Sequence, residues 1–209
     1  MAPEEAVAHA LEQMEACGVL LLADARLPSL STLVAGEPVR GSWWGHPKGK
    51  AIYAACQVLE HHNDVMVAKL IAGKVTFVHR RRWGELFAIG MQDAAWKRSG
   101  LSPAALRLLD QVEESTSIRL DQLPLRGQTR KELSAAAREL ETRLLLHGVN
   151  IHTDTGAHAK VLETWGVCRR RHRFNNQLPA LEEAQRWLEE LSVDWQTRFG
   201  TTVDLGWSR

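Results

Sequence analysis

Cysteine is scarce in this chain: Cys17, Cys56 and Cys168 are spread over 209 positions with no Cys-x-x-Cys pair. An odd, dispersed set excludes a disulfide scaffold and a structural zinc site of thiolates, and a reducing cytoplasm is the expected compartment. Long apolar runs are missing too. Runs such as Val19 to Ala23 fall far short of the roughly 18 residues a membrane span needs, so no membrane partner is expected. Met1 to Cys17 reads as an acidic amphipathic helix and not as a signal peptide, which would pair a basic segment with an apolar core. Charge of one sign is not in excess either: 26 Lys and Arg face 25 Asp and Glu, a net charge of +1. Net charge therefore names no partner. The glycine-rich phosphate and dinucleotide loops, the Gly-x-Ser-x-Gly elbow and His-Glu-x-x-His are all absent. These absences remove the common nucleotide, hydrolase and metalloprotease signatures, and no cofactor or metal site is expected.

What remains is an ordinary globular composition, 44% hydrophobic and 24% charged with a mean hydropathy of −0.25. The length fits one large domain or two small ones. The pattern predicts a helix-rich α+β fold. Pro3-Glu4-Glu5 opens a first helix, with the proline in the first turn and acids at the positive end of the dipole. Val19 to Ala23 is a strand candidate, and Ser29 to Ala35 a short helix closed by Gly36. A helix over about Lys48 to His61 carries Ile52, Cys56 and Leu59 on one face. Val65 to Ile71 and Val75 to His79 form a β-hairpin, followed by helical pieces near Trp83 to Ile89 and Ala94 to Arg98.

Ser102-Pro103 starts the next helix, and Thr129 with Glu132 makes a capping box for a long one. Strands over Leu145 to His152 and His158 to Trp165 flank the turn Thr153 to Ala157. Helix, short strand, short helix, long helix, hairpin is the order of a winged helix, the hairpin being its wing. Three regions follow: residues 1–100, a mixed α/β domain with a β-hairpin; 101–175, a winged-helix domain; and 176–209, a C-terminal helix and tail. No internal repeat is visible in the residues.

Charge is clustered although it balances overall. Between Arg126 and Arg173 ten Lys and Arg oppose five acids, and His79-Arg80-Arg81-Arg82 forms a second knot. Such clusters suit phosphates. On the long helix Arg130, Lys131, Ser134, Arg138 and Glu141 lie outside the apolar stripe. The first four are DNA-binding candidates, joined on the wing by His152, Thr153, His158 and Lys160. Trp43, Trp44 and His46 sit in a loop bounded by Gly45 and Pro47. The two tryptophans are candidates for stacking on a base or, in the structural alternative, for plugging a joint between subdomains. Lys69, Lys74, Thr76 and His79 offer a polar hairpin face towards a phosphate or towards solvent. Acidic first and last helices (Glu4, Glu5, Glu12, Glu15; Glu182, Glu183, Glu189, Glu190) offer a surface to a protein partner.

Three stretches carry a family resemblance: Leu27-Pro28-Ser29-Leu30 with Gly41-Ser42-Trp43-Trp44-Gly45-His46-Pro47, then Lys69 to Val78, then Leu140 to Leu145 with His152 to His158. Over residues 18 to 165 the chain resembles the AlkZ-related proteins, a bacterial group similar to the winged-helix DNA glycosylases that unhook interstrand crosslinks. The resemblance implies winged-helix architecture, DNA as ligand and a link to repair of alkylated bases. Glycosylases of that type are larger, with tandem winged helices, and position water with a Gln-x-Gln motif. No two glutamines of this chain are two apart, so no catalytic residue is assigned through that motif. The expected function is recognition of duplex or damaged DNA. The alternatives are an active glycosylase using Asp93, Glu85 or Gln92, and a non-enzymatic protein-interaction module.

Overall fold

In the computed structural model, residues 3–125, 127–152 and 158–205 are described. The fold is α+β, with two three-stranded antiparallel sheets among many helices. Helix α1 (Pro3–Cys17) buries Ala6, Val7, Ala10 and Met14 at helical spacing and leads into β1 (Val19–Leu21). Ser29 caps α2 (Leu30–Ala35) by accepting a bond from the Thr32 amide. A single 3-10 turn at Trp43–Gly45 precedes α3 (Gly49–Glu60). The hairpin of β2 (Val65–Ile71) and β3 (Lys74–His79) then pairs with β1 in the order β1-β3-β2. Helices α4 (Trp83–Met91) and α5 (Ala95–Arg98) connect this first unit to the second.

The second unit begins with α6 (Pro103–Ser115), where Ser102 is the N-cap and Pro103 follows it. It continues through β4 (Ser117–Arg119), a 3-10 turn at Leu120–Gln122, and α7 (Arg130–Thr142) with the Thr129–Glu132 capping box. Strands β5 (His147–His152) and β6 (His158–Glu163) complete a sheet of order β4-β6-β5. Both units thus run helix, short strand, short helix or turn, helix, hairpin, and both place their third strand in the middle. The repeat lies in topology and not in residues, which is why reading the residues shows none.

Sequence reading carries the last strand to Trp165, but Thr164 interrupts it. The Thr164 hydroxyl accepts from the Val167 amide and caps α8 (Trp165–Arg171). The chain closes with α9 (Leu181–Phe199).

Among the described residues, buried apolar side chains form three clusters. Strand alternation divides the first sheet between two of them. Leu20 and Phe77 face α1, α2 and α3, while Val19, Leu21 and Val78 face α4, α8 and α9. The third cluster lies between α6, α7 and the second sheet. No helix among the described residues is long and apolar enough to cross a membrane.

One buried cation joins the units. Lys97 is fully buried, and its Nζ donates to the carbonyls of Ile89, Gly90 (3.0 Å) and Leu144 (3.1 Å). Three protons meet three acceptors, two of them at the negative end of α4. Burial pulls this ammonium from its ordinary 10.5 down to about 7; the charge of Arg98 adds to that shift and the charge of Asp93 opposes it. Leu144 adopts φ 53°, and its carbonyl also accepts from Trp165 Nε1 at 2.9 Å. Gly90 lets α4 approach that indole, since a Cβ there would lie 2.4 Å from the Trp165 ring. Replacing Lys97 by Met keeps the length but removes one donor from each of three buried carbonyls, of which Leu144 keeps Trp165 Nε1 and Ile89 keeps the Gln92 amide. Stability by urea unfolding should fall by about 3 kcal/mol or more, and an unchanged midpoint would refute this role.

Candidate functional site

A cleft of about 730 Å³ lies between α3 and β2 of the first unit and the β5 side of the second. Alternation along β2 sends Ala68 and Leu70 into the core and turns Val67 and Lys69 towards this space. Val149 and Ile151 of β5, with Leu22 and Leu146, make the remaining walls largely apolar. Trp43, Trp44 and Tyr53 line it as well. The two indoles stack at 4.1 Å between centroids with 23° between planes, and Trp44 lies 5.3 Å from the Tyr53 ring. Trp43 packs against the cluster under α3, whereas Trp44 is 65% exposed. One tryptophan therefore serves packing and the other presents a free face.

The polar end of the cleft is built on Glu141, buried at the last turn of α7. Its Oε2 accepts from Lys69 Nζ at 2.7 Å, and its two oxygens accept from Lys160 Nζ at 2.8 and 2.9 Å. Gly148 makes room for this carboxylate, since a Cβ there would sit 2.1 Å from Glu141 Oε1. Among the described residues, two ammonium groups thus share one carboxylate. Burial holds the Lys69 ammonium below its usual range. Glu141 opposes that shift, while the charges of Lys160 and Arg138 add to it.

At the start of β5, His147 lines the cleft and ties the two sheets together. Its Nε2 lies 2.8 Å from the Val67 carbonyl on β2, and its Nδ1 lies 3.0 Å from Glu163 Oε1, the residue opposite it on β6. Both nitrogens face oxygen acceptors, an arrangement that an imidazolium satisfies in full. Arg171 donates to the same carboxylate at 2.6 Å. Cys168 completes a group of three buried side chains whose metal-ligating atoms lie within 4.8 Å of one another. No Cys-x-x-Cys or His-Glu-x-x-His spacing announces this group in the sequence. Burial pushes the Cys168 thiol up, the imidazole is bonded at both nitrogens and Glu163 is held by Arg171. Those partners make it an ion-pair network.

The residues predicted from sequence are distributed unequally. Lys131, Ser134 and Arg138 are exposed, and their spacing of three and four puts them on one outward face of α7. Arg130 bends back, donating to the carbonyls of Leu120 (2.8 Å), Leu123 (3.4 Å) and Asp121 (3.0 Å). Lys160 turns into the cleft. His152 and His158 are register partners at the ends of β5 and β6, and Thr153 lies outside the described residues. His46 accepts from the Lys48 amide and lies 3.5 Å from Glu37, within its own loop and away from the cleft lining. Glu85 and Asp93 pair with Arg82 and Arg98, and neither they nor Gln92 lines the cleft. Sequence reading placed Glu141 among the outward polar groups of α7, and the fold buries it. Its lysines lie 72 and 19 residues away, a separation at which no local pattern forms.

Burial would raise the Glu163 carboxyl, but the bonds and charges of His147 and Arg171 bring it from 4.5 down to about 2. With the folded value depressed, the stabilisation is complete above 4.5 and is lost as pH falls through about 2. Urea unfolding followed over that acid range should show the loss. Glu163→Gln should flatten the acid limb and lower stability at neutral pH by about 3 kcal/mol; an acid limb unchanged by the substitution would assign it to other groups. In comparisons with known proteins, no family model, no curated protein and no solved structure matches this chain.

Proposed function

We propose that the chain is a DNA-binding protein of two winged helices in tandem, related to DNA repair glycosylases, whose cleft receives a base drawn out of the duplex. The observation that carries this reading is the doubled element order with the same central strand in both sheets. In a winged helix the third helix enters the major groove and the hairpin touches the backbone. The exposed Lys131, Ser134 and Arg138 on α7 suit that contact, with two cations for phosphates or guanine edges. A base leaves the stack at a cost of a few kcal/mol, which a stacking platform and an apolar pocket offset. The free face of Trp44 beside Tyr53 supplies the platform, and the cleft is large enough for a nucleoside.

Binding to duplex DNA should weaken steeply with salt, and Lys131→Ala and Arg138→Ala should each reduce the salt slope by about 1. Equilibrium titrations at several salt concentrations read this directly. Absence of binding at low salt, or binding indifferent to salt, would sink the proposal. In the same assay Trp44→Ala should weaken binding to a duplex with an unpaired base by about 1–3 kcal/mol. Its effect on a fully paired duplex should be smaller. An equal loss on both would place Trp44 outside base recognition.

A further inference from the structure

We infer that Lys69 is an amine nucleophile, and that the cleft captures abasic-site DNA covalently by forming an imine between Lys69 Nζ and the C1′ aldehyde of the ring-opened deoxyribose. This inference rests on the DNA-binding reading above. An abasic site is the product of a base-releasing reaction, so the step would follow any glycosylase acting on the same strand.

Three features of the site converge on it. The first is position: Lys69 projects from β2 into the cleft, with Trp44 and Tyr53 along the same lining, and its side chain is only 16% exposed. A lysine there is shielded from bulk water yet open to a ligand in the cleft. The second is charge. Glu141 compensates one of the two ammonium groups beside it, so the other is held next to a cation. Desolvation and a neighbouring cation are the two ways in which proteins supply a lysine as a free amine, and the downward direction at Lys69 agrees with both. The third is proton handling. Glu141 Oε2 lies 2.7 Å from Lys69 Nζ and 2.8 Å from Lys160 Nζ, so one carboxylate touches both the attacking nitrogen and a proton donor.

The step balances without a co-reactant. The Nζ lone pair forms a bond to C1′ while the carbonyl π electrons move to oxygen, which takes a proton from Lys160. Glu141 then takes the two protons of the nitrogen in turn, passing one back to Lys160 and the other to the hydroxyl, whose C1′–O bond breaks to release one water as C=N forms. Hydrolysis reverses the sequence and frees both partners. Gly148 belongs to the arrangement because a side chain there would drive the Glu141 carboxylate from between the lysines.

The test uses the full chain with two duplexes. One carries a natural abasic site and the other its tetrahydrofuran analogue, which has no aldehyde. Sodium borohydride reduces an imine to a stable amine, leaving a covalent protein–DNA band on a denaturing gel. We expect the band with the abasic duplex only, and peptide mass mapping should place it on Lys69. Lys69→Arg keeps a cation beside Glu141 but cannot form the imine. It should lose the band while retaining affinity for the analogue duplex, and Lys50→Arg, at an exposed lysine of α3 outside the cleft lining, should retain the band. Tight binding of the analogue with no band overturns the inference and leaves DNA binding intact. A band that survives Lys69→Arg, or maps to the N-terminal amine or another lysine, overturns it as well. If neither duplex is bound, the DNA-binding reading fails first and the inference falls with it.

Discussion

The relation between the two units depends on a buried lysine ammonium bonded to backbone carbonyls. Lys97 bonds the carbonyls of Ile89 and Gly90, where α4 ends, and that of Leu144, where the chain leaves α7 for β5. Removing a cation from water is costly, so it persists only where its protons are all received. Here the acceptors come from both halves of the chain, and satisfying the cation sets the distance between them. Leu144 takes a left-handed conformation at this point and gives the same carbonyl to the Trp165 indole. Arg143 adds a bond to the Trp96 carbonyl at 2.9 Å. The cleft is the space left when the units are held at that separation.

The other tie runs through His147. Its ring spans from Glu163 on the neighbouring strand to the Val67 carbonyl of the first sheet, which orients β5 against β2. The walls are therefore fixed by a polar network at the start of β5, while Val149 and Ile151 further along it turn apolar groups to the cleft. In such a space a carboxylate needs cations, and Glu141 has two. The same pairing that stabilises Glu141 leaves the lysines with less than one counter-charge each. The chemistry proposed for Lys69 follows from that imbalance and needs no motif.

Local rules account for much of the fold. Ser29, Ser102 and the Thr129–Glu132 box begin their helices where the sequence predicts, because a cap acts between a side chain and an amide only a few residues on. The hairpin of β2 and β3 is legible for the same reason, with its turn flanked by runs rich in apolar and β-branched residues. The helix beginning at Trp165 escapes local rules, since its apolar residue continues the strand pattern and only the Thr164 cap breaks it.

What sequence determined by itself is this set of local elements, the α+β class and the exposed face of Lys131, Ser134 and Arg138. Tertiary structure decided the rest. Lys160, read as a phosphate contact, turns to Glu141, and Arg130, read likewise, is spent on three carbonyls. Trp43 and Trp44, adjacent in the chain, divide between packing and exposure. The repeated topology is invisible in the residues because hydrophobic cores constrain the order and burial of elements and leave identities free. The Lys69–Glu141 contact joins positions 72 apart. No periodicity or cap reaches that far, and such pairs arise only when two units are brought face to face.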